Sequence, residues 1–306
     1  MSLSAPSTPS TASGAGTDPP STTDAPTRHV VPGQTGTRPA PSGARRRPAW
    51  LKTVLPPVVV FVVLVGLWYA AAYYYDQVQQ LGYLVPYPHL VLQALFVDPT
   101  SRATILMALL NSAMVAMTGL AIAVVIGVVW AVLMSQAKWV ERSLFPYAVI
   151  LQCVPILALV PLIGMLFGFD FSARVIVTVM IALFPMVANT LFGLQSADRA
   201  QRELFQLQGA SRFTRLVKLQ FPAALPSIFL GLRNSAGLSV IGAIVGDQFF
   251  QRGTPGIGVA IQIYASRLSG PELYAAILTA ALFGVGVFLL FGLLTRLAVG
   301  RWYDLG

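Results

Sequence analysis

The chain has 306 residues, 56% of them hydrophobic and only 10% charged, with a net charge of +9 and a mean hydropathy of +0.71. Soluble domains carry roughly 25% charged residues, so a soluble globule is excluded. Repeated apolar runs of about 20 residues instead describe an all-α polytopic membrane protein. The single cysteine, Cys153, lies within an apolar run, and His29 and His89 are far apart, which leaves no disulfide framework and no metal ligands to expect.

Residues 1–49 are rich in Ser, Thr, Pro, Ala and Gly. Such a segment cannot bury enough apolar surface to offset its ordering entropy, so a disordered tail is expected there. It ends in Arg45, Arg46 and Arg47, with Lys52 just beyond, ahead of the first apolar run. These charges read as a topology signal or as a polybasic lipid or partner motif. A cleaved signal peptide fits poorly: the run Val54–Tyr75 exceeds a usual signal core and has no small-residue cleavage pattern.

Six spans are predicted, at about 54–75, 105–134, 144–168, 172–195, 224–250 and 273–299. Tyr69, Tyr73, Tyr74 and Tyr75 close the first like an interfacial belt, and the Pro-broken, amphipathic stretch 76–103 is expected along the far membrane surface. Residues 50–104 thus hold the first span and this outer segment, 105–300 the main transmembrane domain, and 301–306 a short tail. With a cytoplasmic N-terminus, the inner flanks hold thirteen basic residues, from Arg45 to Arg301, and the outer flanks four: Arg102, Arg174, Arg252 and Arg267. The positive-inside rule then puts both termini and the loop 196–222 in the cytoplasm of a multi-pass protein of the cell membrane. The positive charge is a topology signal and not a nucleic-acid footprint.

Within the spans, Pro155, Pro161 and Pro185 interrupt helices, and Asn111, Gln152, Asn189, Asn234, Ser235 and Ser239 place polar groups among apolar ones. Two roles stand for such groups, helix–helix contact or lining a translocation pathway. Gly242 and Gly246 form a small-xxx-small pair suited to close helix packing. Asp247 is an acid near the outer end of the fifth span, placed either at the interface or on an outer gate. The loop RGTPGIG at 252–258 follows a membrane helix and not a strand, so its glycines read as a tight turn. The chain has no G-x-x-x-x-G-K-S/T segment and no triad or paired-carboxylate constellation, so neither ATP hydrolysis nor other catalysis is expected of it.

The loop 196–222 reads SADRAQRELFQLQGASRFTRLVKLQFP. Asp198 or Ser196 can cap a helix over 199–208, on which Arg199 and Glu203 stand at i,i+4 and Leu204, Phe205 and Leu207 form an apolar edge. Gly209 supplies a left-handed ending, Ser211 caps a second helix carrying Arg212, Arg215 and Lys218, and Pro222 is expected to stop that helix at the membrane. The hairpin suits either anionic headgroups or a groove on a soluble partner.

Glu203-Leu204-Phe205, three residues, Gly209, nine residues, then Leu219-Gln220-Phe221-Pro222 resembles the "EAA" loop of ABC-importer permeases, E-A-A-x3-G-x9-I-x-L-P. The spacing matches throughout, with Leu204 and Phe205 in place of the two alanines. The resemblance covers roughly 105–300. Asn111-Ser112, Phe184-Pro185, Leu225-Pro226, Gly231-Leu232-Arg233 and Gly256-Ile257-Gly258 are similar to the branch that moves nitrate, sulfonates, taurine and vitamin precursors. The segment Asp247–Arg252 looks closest to permeases for riboflavin or thiamine-pyrimidine precursors.

The resemblance implies a six-helix permease of the type I importer kind, with Glu203, Leu204, Phe205, Gly209, Ala210 and Pro222 coupling it to a separate ATPase that holds ATP and Mg. It also implies a permease homodimer in lipid, fed by an extracytoplasmic binding protein. The pathway candidates are Asn111, Gln152, Asn189, Asn234 and Asp247. The competing functions are a self-contained secondary transporter or channel, and a membrane scaffold that anchors a soluble enzyme.

Overall fold

The computed structural model describes residues 49–300, so the expectations for the two tails, 1–48 and 301–306, lie outside the described residues. The chain divides after Thr53; of the first unit only Ala49–Thr53 is described, as the opening of helix α1. The second unit begins at Val54 and is built from helices, with no strand among the described residues.

In order these are α1 (Ala49–Tyr73) with a π-helical turn (Tyr74–Val78), α2 (Pro88–Phe96), α3 (Pro99–Ser135), α4 (Lys138–Cys153), α5 (Ile156–Phe167) and α6 (Phe171–Gln195). Then come α7 (Arg199–Leu207), α8 (Arg212–Arg215), a second π-helical turn (Leu216–Gln220), α9 (Phe221–Phe249), α10 (Ile257–Ser266) and α11 (Gly270–Val299). Five stretches are long and apolar enough to cross a membrane, and six if α4 and α5 count as one broken span.

Helix α6 lies between α9 and α3 and packs along both; α11 packs on α9, and α10 bridges α3, α9 and α11. The small residues on these faces explain the fit. A Cβ on Gly242 would come within 2.8 Å of Thr178 Cα, and one on Gly246 within 3.2 Å of Arg174 Cα, so α9 can press against the α6 backbone only with glycine there. Ser235 Oγ, on α9, donates to Ala182 O on α6 at 2.8 Å and so serves helix contact, whereas the Ser239 hydroxyl bonds within its own helix, to Ala236 O. Helix α1 is the opposite case. Val58–Leu64 and Leu67 are exposed, and it meets the bundle through Trp68, whose Nε1 donates to Pro86 O at 3.1 Å.

Four predicted boundaries or elements change. The expected span 144–168 is two helices meeting at 96°. Pro155 lacks an N–H and forces Val154 into an extended conformation (ψ 126°), which ends α4 at Cys153. The second span starts earlier, at Pro99, because Asp98 caps it. The Ser101 hydroxyl and the Thr100 N–H both donate to the Asp98 carboxylate and hold it below its ordinary range. Pro222 does not stop the helix that starts at Arg212, which runs to Phe249. Just before it the Phe221 N–H donates to Leu216 O, five residues back, and this widened turn admits the proline. Finally, α10 (Ile257–Ser266) is a helix outside the six predicted spans, and it starts within RGTPGIG, directly after the turn at Gly253 (φ +83°).

Candidate functional site

The 196–222 segment is an ordered helical hairpin. Asp198 accepts from the Ala200 N–H at 3.4 Å and Ser211 accepts from the Thr214 N–H at 3.1 Å, so each short helix has a side chain on its free first-turn donors. Between them, Gly209 has φ +67°, the Gly209 N–H donates to Gln206 O and the Ala210 N–H to Phe205 O, both at 3.0 Å. That double bonding is the Schellman ending, which satisfies two carbonyls at the end of α7 and fixes the direction in which the chain leaves. Arg202 reaches back from α7 to Gln195 O at the end of α6, tying the hairpin to the bundle.

The hairpin presents an apolar edge beside charged residues. Leu204 is 52% exposed, and Leu207, Phe213 and Val217 are exposed beside it, while Phe205 is half-buried. Arg199 Nε meets Glu203 Oε1 at 2.9 Å on the exposed face. Helix α7 buries none of its residues within this chain. An ordered, capped helix with an uncovered hydrophobic edge is a surface suited to a partner.

The opposite ends of α6 and α9 carry a buried polar cluster. Arg174 Nη1 donates to Asp247 Oδ1 at 3.1 Å, with side-chain exposures of 2% and 0%. Arg174 also donates to Thr254 O (3.0 Å) and Arg252 O (3.2 Å), so one guanidinium fastens the loop 252–254 to the bundle. Ser112 on α3 donates to the second Asp247 oxygen and accepts the Ile257 N–H at 2.7 Å, which pins the start of α10. Gly258 lies so near this carboxylate that a Cβ there would come within 2.8 Å of Asp247 Cβ.

Sequence reasoning placed Arg174 on an outer flank. In the fold it is buried near the start of α6, its charge met by Asp247, 73 residues away. Asp247, read from the sequence as an acid at the interface or on an outer gate, is buried inside this clamp. Ser112 was noted only within a motif; the signal for Arg174 was a basic residue inside an otherwise apolar helix.

The remaining polar candidates separate. Asn111 donates to Pro255 O at 2.9 Å and lines a groove of about 710 Å³ between α3 and α10. Asn189 is turned to its own helix, donating to Pro185 O at 2.8 Å. Gln152 is exposed near the α4–α5 break. Asn234 is exposed and lines a largely apolar groove of about 650 Å³ between α9 and α11. The structure therefore does not bring these residues into one site.

A multi-helix bundle with a capped hairpin between two long apolar helices is the architecture of a multi-pass membrane protein. Residues 123–302 match the family described as binding-protein-dependent transport system inner membrane component, and the chain belongs to that family. A formylaminopyrimidine transport permease protein from Halalkalibacterium halodurans is 33% identical over 232 residues, covering 76% of this chain and 89% of the relative. A riboflavin transport system permease protein from Chloroflexus aurantiacus is 34% identical over 168 residues, covering 55% of this chain and 62% of that one. A nitrate import permease protein from Leptolyngbya laminosa is 28% identical over 268 residues, covering 80% and 91%.

Proposed function

We propose that this chain forms the translocation pathway of an ATP-driven importer whose ATPase is a separate subunit. That subunit, carrying ATP and Mg, would seat α7 in a groove, with Leu204 and Phe205 as anchors and Glu203 setting the orientation. Gly209, Ala210 and the continuous helix through Pro222 would carry the motion into α9. Two copies of the chain in lipid would enclose the pathway. A binding protein would load the far face, around the α10 loop, and both termini would lie in the cytoplasm.

The observation that carries this reading is the hairpin itself: two capped helices, a Schellman turn and an unbroken run from Arg212 to Phe249. A flexible loop would absorb a push, whereas a capped lever transmits it. Similarity to permeases named for formylaminopyrimidine and riboflavin supports a small vitamin-precursor heterocycle as the solute. The Arg174–Asp247 ion pair argues against a self-contained secondary transporter. Such proteins commonly carry their coupling ion on intramembrane acids, and here Asp247 is held by Arg174 in a clamp that fastens the 252–254 loop.

The test is reconstitution of the chain with its ATPase and binding protein in vesicles, with labelled formylaminopyrimidine as probe. Accumulation that requires ATP and survives collapse of ion gradients is expected. Accumulation that follows an ion gradient without the ATPase would overturn the reading. Co-purification of the ATPase with no transport would leave the scaffold alternative standing.

A further inference from the structure

Arg233 is a charge within a membrane helix that nothing in the described residues neutralises. It stands about 18 Å along α9 from Phe221 at 1.5 Å per residue, well inside the apolar part of the helix. The ion pairs among the described residues are Arg174–Asp247 and Arg199–Glu203, so Arg233 has none. Its Nε is buried without a hydrogen-bond partner. Its guanidinium lies over the Phe288 ring, 4.0 Å from the ring centroid, on the facing helix α11. A Cβ on Gly292 would come within 3.2 Å of Arg233 Nε, so the missing side chain one turn beyond Phe288 makes room for it.

Phe288 also lines the apolar groove of about 650 Å³ between α9 and α11, together with Asn234, Gly237, Ile241 and Ala281. Arg233 and Gly237 are i,i+4 on α9, so Arg233 stands one turn from the groove-lining Gly237 on the same stripe. The groove is therefore an apolar slot with one amide on its wall and no carboxylate, and Arg233 adjoins it through Phe288, which lines the groove and carries the guanidinium on its ring. A cation left unpaired in such surroundings is costly unless something with opposite polarity visits it. Stacking on Phe288 offsets part of that cost and holds the planar donor fork in place.

We propose that Arg233, steadied by Phe288 and assisted by Asn234, is a solute contact in this groove. It would select a small solute that offers an acceptor oxygen, carbonyl or anionic, beside an apolar or π face. The proposal deepens the permease reading and rests on it, since it places a contact on the pathway.

The test uses the full chain in nanodiscs, with Cys153 changed to Ser and Asn234→Cys as reporter. The probes are two water-soluble methanethiosulfonates of like size, one carrying a sulfonate and one a trimethylammonium. With rates normalised to a free thiol, the sulfonate reagent is expected to react about tenfold faster, the effect of one nearby cation in a low-dielectric slot. Arg233→Gln should abolish that preference and Arg233→Lys keep most of it. Ala281→Cys on the facing wall repeats the measurement should the first reporter fail to fold.

No reaction with either reagent at both reporters would show that lipid or a second copy fills the groove. Equal preference in parent and Arg233→Gln would show that the arginine only packs on Phe288. Either result overturns the proposal. The readout needs neither ATPase nor transported solute, so it stays separable from the importer reading: uptake can fail with the charge preference intact, or the reverse.

Discussion

Two ion pairs of nearly equal length, one within the hairpin helix α7 and one joining the far ends of α6 and α9, differ in everything but distance. Arg199–Glu203 spans 2.9 Å with side chains 92% and 57% exposed, whereas Arg174–Asp247 spans 3.1 Å with side chains 2% and 0% exposed. Solvent screens the first, which leaves its residues free to re-pair with a partner at little cost. The second has given up its hydration, and every oxygen and nitrogen that loses a partner there stays unpaired. The hairpin end is thus built to exchange contacts and the clamp end to keep them. Distance alone does not distinguish these roles; burial does.

The sharpest way to break this contrast is at the clamp. Arg174→Ala, which strands the Asp247 carboxylate and releases the 252–254 carbonyls, is expected to cost about 3–5 kcal/mol, read as a large drop in the melting temperature of the purified protein. The double change Arg174→Met with Asp247→Leu should recover much of that loss, because two apolar side chains leave no stranded charge. If Arg174→Ala melts with the parent, the pair contributes nothing and the contrast fails.

At the hairpin the expected stability effects are smaller and the functional ones larger. A Cβ on Gly209 meets no neighbouring atom within 4 Å, so the cost of Gly209→Val is set chiefly by the left-handed backbone, about 1–2 kcal/mol. Membrane insertion should survive while the stimulation of the ATPase by loaded binding protein is lost. A Gly209→Val protein that transports normally would refute the lever. Glu203→Ala should leave melting unchanged and weaken retention of the ATPase on co-purification several-fold. Unchanged retention would assign Glu203 to lipid headgroups. The smallest effect is foreseen for Pro222→Ala, within about 1 kcal/mol, because the π-helical turn already accommodates the ring; circular dichroism and melting should match the parent.

The same contrast explains what the sequence could reveal. The hairpin was legible because its determinants are local: a cap lies within a few residues of the N–H it binds, and Gly209 announces its own positive φ. The spans were legible from their apolar length, and Pro155 marked the break between α4 and α5 although its 96° angle was not foreseen. The clamp was not legible. Arg174 and Asp247 meet only through the packing of α6 on α9, and a basic residue near a helix start looks like a flank signal until its partner is in view. Helix α10 escaped notice because Gly256 and Gly258, which let the chain approach the Asp247 region, read locally as turn residues.

Whether motion generated elsewhere enters through the hairpin and drives solute across the bundle is read in vesicles containing the chain, the proposed ATPase subunit and the proposed binding protein. Labelled formylaminopyrimidine should accumulate only when ATP is supplied, continue to do so when ionophores collapse every gradient, and stop in the Gly209→Val protein. Accumulation that proceeds without ATP, or that vanishes with the ion gradient while ATP is present, would contradict the account.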